Sequence, residues 1–288
     1  MRIRRITPAL ATLLAGCGRL DELQYSPATT PEQWCLQRPC VEVAGTVVNE
    51  PLGSVLVFTL AALWIAVGVY FIVSRAGQRS RVWLGVALIL GGVGAGLAGI
   101  SYQAFSYVLK CQGWEYCRLT NGFEVGYSIT QAVSVSAMLT AVAYACTSGR
   151  ARRAFVIYAG LNVVVYLVVS VMGVLLPNAL LLSFTVLMLF AVPGLVLVMV
   201  ISAGHYRREH DAMSKAILIA AVLQIVVQIA YFGYYAAGIT AMLWDDGNGF
   251  YFSENDVLHV GMILWLVYVW RALGPRLQDD LSRAPARA

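Results

Sequence analysis

Charge is scarce in this sequence. Only 12% of its 288 residues are Asp, Glu, Lys or Arg, whereas 59% are apolar; a soluble domain of this length carries about twice that charged fraction. Histidine occurs three times, and lysine only at Lys110 and Lys215. A retinal pigment needs a lysine deep in its last span, so that class is excluded. Glycine-rich phosphate loops, a serine elbow and a His-Glu-x-x-His pattern are also missing, which removes several enzyme classes. The net charge of +5 sits in short loops, where membrane orientation already accounts for it, so no nucleic-acid partner is expected.

What the sequence has is long apolar runs. Seven segments, at roughly 52–73, 82–108, 123–147, 154–176, 178–202, 216–240 and 255–273, are each long enough to cross a ~30 Å hydrocarbon layer. Backbone groups in lipid must be satisfied within the segment, and no ten-residue alternation of barrel strands occurs. The expected fold is therefore all-α, a polytopic membrane protein with a seven-transmembrane-helix bundle. Arg75, Arg79 and Arg81 follow span 1; Arg150, Arg152 and Arg153 follow span 3; Arg207, Arg208 and Lys215 follow span 5; Arg271, Arg276, Arg283 and Arg287 follow span 7. By the positive-inside rule these loops are cytoplasmic, which puts the N-terminus outside and the C-terminus inside. The expected division is an export signal at 1–17, an extracytoplasmic segment at 18–51, the membrane domain at 52–273 and a cytoplasmic tail at 274–288.

Met1 to Arg5 form a basic leader and Ile6 to Ala15 an apolar stretch too short to span. Leu14-Ala15-Gly16-Cys17 then fits a bacterial lipobox, with Cys17 as the lipidation candidate; a cleavable signal with an incidental cysteine is the alternative. The expected location is a bacterial inner membrane with the site facing the periplasm or cell exterior. Cys35, Cys40, Cys111 and Cys117 would then all face the oxidising side and are disulfide candidates, in any of three pairings. Cys146, near the inner end of span 3, reads as a free core thiol.

Polar residues gather at the outer ends of spans 1, 2, 3 and 7. Glu42, Thr46 and Asn49 precede span 1; Ser101, Tyr102, Gln103 and Ser106 end span 2; Glu124 and Tyr127 open span 3; Asn255, Asp256 and His259 open span 7. Ionisable groups at membrane depth are costly and mark function by default. Asn255, Asp256 and His259 are three and four residues apart and can share a helix face, as a metal site or an acid-base pair would require. The plain alternative for Glu254 and Asp256 is helix capping from Ser253 or Asn255. His205 and His210 read as solvated loop residues. Gln224, Gln228 and Asn162 read as interhelical hydrogen-bonding groups, and Gly92, Gly96 and Gly99 as a close-packing stripe.

These clusters give the chain a resemblance to the alkaline ceramidase family, within a superfamily of seven-helix membrane hydrolases and receptors. Glu42-Val43-Ala44-Gly45-Thr46-Val47-Val48-Asn49-Glu50-Pro51 is similar to that family's Glu-x-x-Asn-Thr-x-Ser-Asn-x-Pro opening of span 1, with Trp34-Cys35 upstream. Gly99 to Ser106 resembles its span 2 motif, Phe123-Glu124 its span 3 start, and Asn255-Asp256-Val257-Leu258-His259 its His-x-x-x-His. The resemblance implies hydrolysis of a lipid amide at a zinc held by three histidines. Carried over by position, only His259 survives; Ser106 and Asn255 stand at the other two ligand positions, Tyr102 at the assisting serine and Phe123 at the aspartate.

Three functions are consistent with this pattern. In the first, a hydrolase of lipid amides uses a rebuilt metal site: His259, Asn255 and Ser106 as ligands of zinc, Asp256 and Glu124 as catalytic groups, and Glu42, Asn49, Tyr102 and Gln103 as binding residues. Calcium is not expected, because most of the family's calcium ligands are missing, although Glu42 matches one. In the second, a non-catalytic relative binds a membrane lipid, sphingolipid-like or another acyl amide, or a protein partner, in the same pocket. In the third, a small transporter uses the same carboxylates.

Overall fold

The computed structural model describes residues 18–245 and 249–280. The leader with Cys17, and also Asp246, Arg283 and Arg287, lie outside the described residues.

Among the described residues seven helices are long and apolar enough to cross a membrane, which makes the chain an integral membrane protein. They are α2 (Pro51–Val73), α3 (Arg79–Ala98, continued by a π-helical turn, Gly99–Ala104), α5 (Gly122–Cys146), α6 (Gly149–Leu175), α7 (Phe184–Glu209), α8 (Ala212–Ala236) and α10 (Glu254–Tyr268, continued by a second π turn, Val269–Leu273). Short helix α1 (Pro31–Leu36) precedes the first span, and short helices α4 (Ser106–Lys110) and α9 (Ile239–Asp245) lie between later ones.

Burial ranks the spans. The apolar window of α5 is 61% buried and that of α6 only 17%, so α5 is the hub and α6 the most peripheral helix. Glycine sets a close pairing of α2 on α3: a Cβ on Gly92 would lie 2.8 Å from the Ala61 carbonyl oxygen and 2.7 Å from Ile65 Cγ1. Small residues at such a crossing let backbones approach and gain dispersion contacts that lipid cannot supply. Asn162 donates to Ser136 Oγ at 3.2 Å and to the Phe190 carbonyl at 3.3 Å, tying α6 to α5 and α7.

Both expected boundaries of span 5 move. Span 5 starts at Phe184 rather than near 178, because Asn178 folds the chain by accepting from the Leu180 and Leu181 amides, and Ser183 then caps the helix. That helix continues through Glu209, so His205 is not a solvated loop residue. It is 9% exposed, and its Nδ1 lies 3.0 Å from Asp211 Oδ2. Asp211 also caps α8 through Ser214. Burial alone would raise the Asp211 carboxyl, but the Ser214 hydrogen bonds and His205 bring it below its usual value.

The two ends of the bundle differ in chemistry. At the arginine-rich end the chain closes over itself: Asp279 accepts from the Arg79 and Ser80 amides at 2.9 and 2.7 Å, and Arg81 donates to the carbonyls of Gly274 and Leu277. The carboxylate thus serves as the N-terminal cap that α3 does not make for itself. At the cysteine end the segment 18–51 forms a folded cap. It includes a hairpin, β1 (Cys40–Val43) against β2 (Thr46–Asn49), so the chain is not wholly helical. β-Branched residues and an Ala44-Gly45 turn with both φ positive explain it. Cys35 pairs with Cys40 and Cys111 with Cys117. Cys146 is free and buried.

Candidate functional site

Two polar groups of residues occupy the cysteine end, and the π turn after α3 connects them. A π turn carries an extra residue that re-aims side chains, a device common at functional positions. Here Ser101 and Tyr102 face one group and Gln103 the other.

The first group is built on Lys110. Its ammonium pairs with Glu124 and donates to Tyr25 Oη at 3.0 Å and to the Leu119 carbonyl at 3.1 Å, so its three N–H bonds are all used. Tyr102, Tyr25 and Trp34 surround it with ring centroids 4.9, 5.5 and 5.9 Å away. Glu124 accepts further from Ser101 Oγ at 2.8 Å, and Asn121 Nδ2 holds that hydroxyl at 2.7 Å. A carboxylate already neutralised and hydrogen-bonded in this way is a poor general base. The expectation that Glu124 is catalytic finds no support in this geometry; it anchors the N-terminal cap to the bundle. The sequence placed Lys110 near a loop and missed its burial, because nothing local to it predicts contact with Tyr25.

The second group surrounds Gly53, in the first turn of α2. A Cβ there would lie 2.8 Å from Asp256 Oδ1, 3.6 Å from Glu50 Oε2 and 3.6 Å from Gln103 Nε2. Glycine is what lets the start of α10 and the π turn close on the start of α2. Glu50 is 3% exposed, and its Oε1 takes Arg38 at 3.3 Å and the Tyr251 hydroxyl at 3.2 Å. Desolvation pushes its carboxyl up to about 7, with Arg38 opposing and Asp256 adding to the rise. The Tyr251 hydroxyl is raised by burial and by Glu50. Asp256 is fully buried; its Oδ2 accepts from the Ser253 amide at 2.7 Å and the Ser253 hydroxyl at 3.0 Å, making the capping box of α10. Its Oδ1 has no hydrogen-bond partner.

The remaining expected residues divide between these groups and the surface. His259 lies one turn beyond Asp256, is 7% exposed and has no partner for Nδ1. Ser106 is fully buried with an unpartnered hydroxyl. Asn49 is also buried, but structurally committed: its Oδ1 accepts from the Tyr107 amide at 2.9 Å and its Nδ2 points to Cys40 Sγ. Glu42 is exposed on the hairpin, and the buried carboxylate is Glu50, eight residues on. Asn255 is half-buried on α10 beside the fully buried Asp256.

A catalytic zinc needs three protein donors from Cys, His, Asp or Glu and an open fourth position. Among the described residues no three such side chains converge. His259 is the one imidazole at this end, and a serine hydroxyl and a carboxamide are weak substitutes for the other two. The residues present do not fit a zinc centre of the ceramidase type.

No curated protein and no solved structure matches the chain. A family model does, over residues 56–277, a stretch that holds all seven long helices apart from residues 51–55 of α2. By that match the chain belongs to the family of unknown function DUF6962.

Proposed function

We propose that this chain is a non-catalytic binding protein that receives the polar head of a membrane lipid between the starts of α2 and α10 and the π turn after α3. The supporting observation is a set of buried polar atoms without partners at one end of the bundle: Asp256 Oδ1, His259 Nδ1 and Ser106 Oγ. Each unsatisfied buried group costs about 1–3 kcal/mol, so folded proteins fill such positions with water or a ligand. Disulfides at this end and arginines at the other support an outward-facing pocket in a bacterial inner membrane, with the C-terminus in the cytoplasm. The acyl chains would lie against the apolar faces of the spans, and the head, an amide or another hydrogen-bonding group, among the three elements.

The reading is tested with a photo-crosslinkable acyl-amide lipid in reconstituted membranes. Labelled peptides from the starts of α2 and α10 and from the π turn support it. Labelling confined to the exposed face of α6 contradicts it, as does turnover of the lipid amide.

A further inference from the structure

The described residues begin at Gly18, directly after the Cys17 of the lipobox, in a 3-10 helix, Gly18–Glu22. Arg19 donates to the carbonyl of Leu175, the last residue of α6, Leu20 is 1% exposed, and Asp21 pairs with Arg118. These contacts fix the start of the chain at the cysteine end of the bundle, against its most peripheral helix. Asp21 and Arg118 also line an open groove of about 450 Å³, together with Leu97, Leu109, Phe123 and Gly126. From this arrangement we infer that Cys17 carries a diacylglyceryl group and that one of its acyl chains lies in the groove, a site separate from the pocket between α2 and α10.

Reach, polarity and charge agree on this occupant. Three residues of a 3-10 helix advance about 6 Å and the next Cα is about 3.8 Å further, so the Cys17 Cα lies at most about 10 Å from that of Asp21. Asp21 and Arg118 belong to the cap, whereas Leu97 is near the cysteine end of α3 and Gly126 one turn into α5, so the groove passes from the cap onto the spans. A Cβ on Gly126 would meet only Leu97 Cδ1 among the described residues, at 3.2 Å, which leaves the space beyond it free. The two charges at the groove cancel: Asp21 and Arg118 pair, and the guanidinium lies over the Trp114 ring. A phosphate head finds no unpaired cation there, whereas a thioether-linked diacylglyceryl group is uncharged and suits a neutralised site. Seven spans already hold the chain in the membrane, so the lipid acts within the fold, covering apolar surface that the protein leaves open.

In the modification step the Cys17 sulfur attacks the diacylglyceryl carbon of a phosphatidylglycerol donor. The C–S thioether forms, the C–O bond breaks with its electron pair on the departing glycerol phosphate, and the thiol proton passes to solvent. Hydrolysis of the Gly16–Cys17 peptide bond then frees the Cys17 amine, water supplying a hydroxyl to Gly16 and a proton to the nitrogen.

The test expresses the full chain in a bacterial inner membrane, with the photo-crosslinker benzoylphenylalanine replacing the exposed Phe123, and reads intact and peptide masses. The expected chain starts at Cys17 and carries the mass of a diacylglyceryl group, which Cys17→Ala removes. Light should then join the α5 peptide to an acyl chain of the N-terminal peptide. Gly126→Leu, which fills the groove, should abolish that cross-link and leave the lipid mass unchanged. A chain that keeps residues 1–16, or that starts at an unmodified Cys17, overturns the modification. A lipidated chain whose cross-links from position 123 reach only unattached phospholipid, or persist in full in Gly126→Leu, overturns the seating of the acyl chain in the groove.

Discussion

Lys110 and Glu124 form an ion pair in which the two side chains are 1% and 5% exposed. Eleven residues of connecting loop, with a disulfide inside it, separate α4 from α5, and the pair joins the two helices beneath Tyr25 of the N-terminal cap.

Removing one partner leaves the other charged and buried. Lys110→Met alone should destabilise the protein by about 3–5 kcal/mol, and Lys110→Met with Glu124→Gln by much less, because breaking a buried pair costs more than replacing it. Thermal unfolding in detergent measures both. If Glu124 instead served a reaction, the double variant would be stable but would also lose an activity that the parent has.

Gly53→Ala places a methyl group 2.8 Å from Asp256 Oδ1. The carboxylate must move and its capping bonds to Ser253 must stretch, a cost of about 1–3 kcal/mol by analogy with overpacked cores. Lipid binding should fall together with stability. An Ala variant as stable as the parent would show that α10 does not close on α2 as described.

Glu50 adds a pH dependence with a definite sign. Its carboxyl is raised from 4.5 in the unfolded chain to about 7 in the folded one. Between those values the folded state holds a proton that the unfolded state has released, so stability falls as pH rises through this window. The contribution is complete below about 4.5 and gone above about 7, roughly 3 kcal/mol in all. Glu50→Gln should flatten that limb of a plot of unfolding temperature against pH, and an unchanged slope would place the titration elsewhere.

Both disulfides close short loops within the cap, Cys35–Cys40 and Cys111–Cys117. Loop-closure entropy gives about 2 kcal/mol for each. Reductant should therefore lower the unfolding temperature, and the native protein should show no reactive thiol among the described residues, Cys146 being buried. Rapid labelling of more than one cysteine without reductant would contradict these pairings.

Much of the bundle was legible from apolar run length, because lipid leaves the backbone no alternative to helix. The boundaries that moved, at Phe184 and Glu209, did so through Asn178, Ser183 and Asp211, whose side chains set turns and caps that hydropathy does not register. Asp256, Gln103 and His259 were legible as polar residues at the start or end of a span. Glu50 was passed over for Glu42 because a two-residue hairpin turn, not helix periodicity, decides which of them points inward. Lys110 was missed for a related reason: its partners lie 14 residues ahead, at Glu124, and 85 residues back, at Tyr25, in a cap that sequence periodicity does not describe.

Whether this protein binds a lipid or cleaves one is decided most directly by weighing what it carries. Native mass spectrometry of the detergent-purified chain, with elemental analysis of the same sample, should find about one co-purifying lipid per chain, lost in Asp256→Asn, and no stoichiometric zinc. One zinc per chain that disappears in His259→Ala, together with release of fatty acid from an acyl amide, would contradict the account.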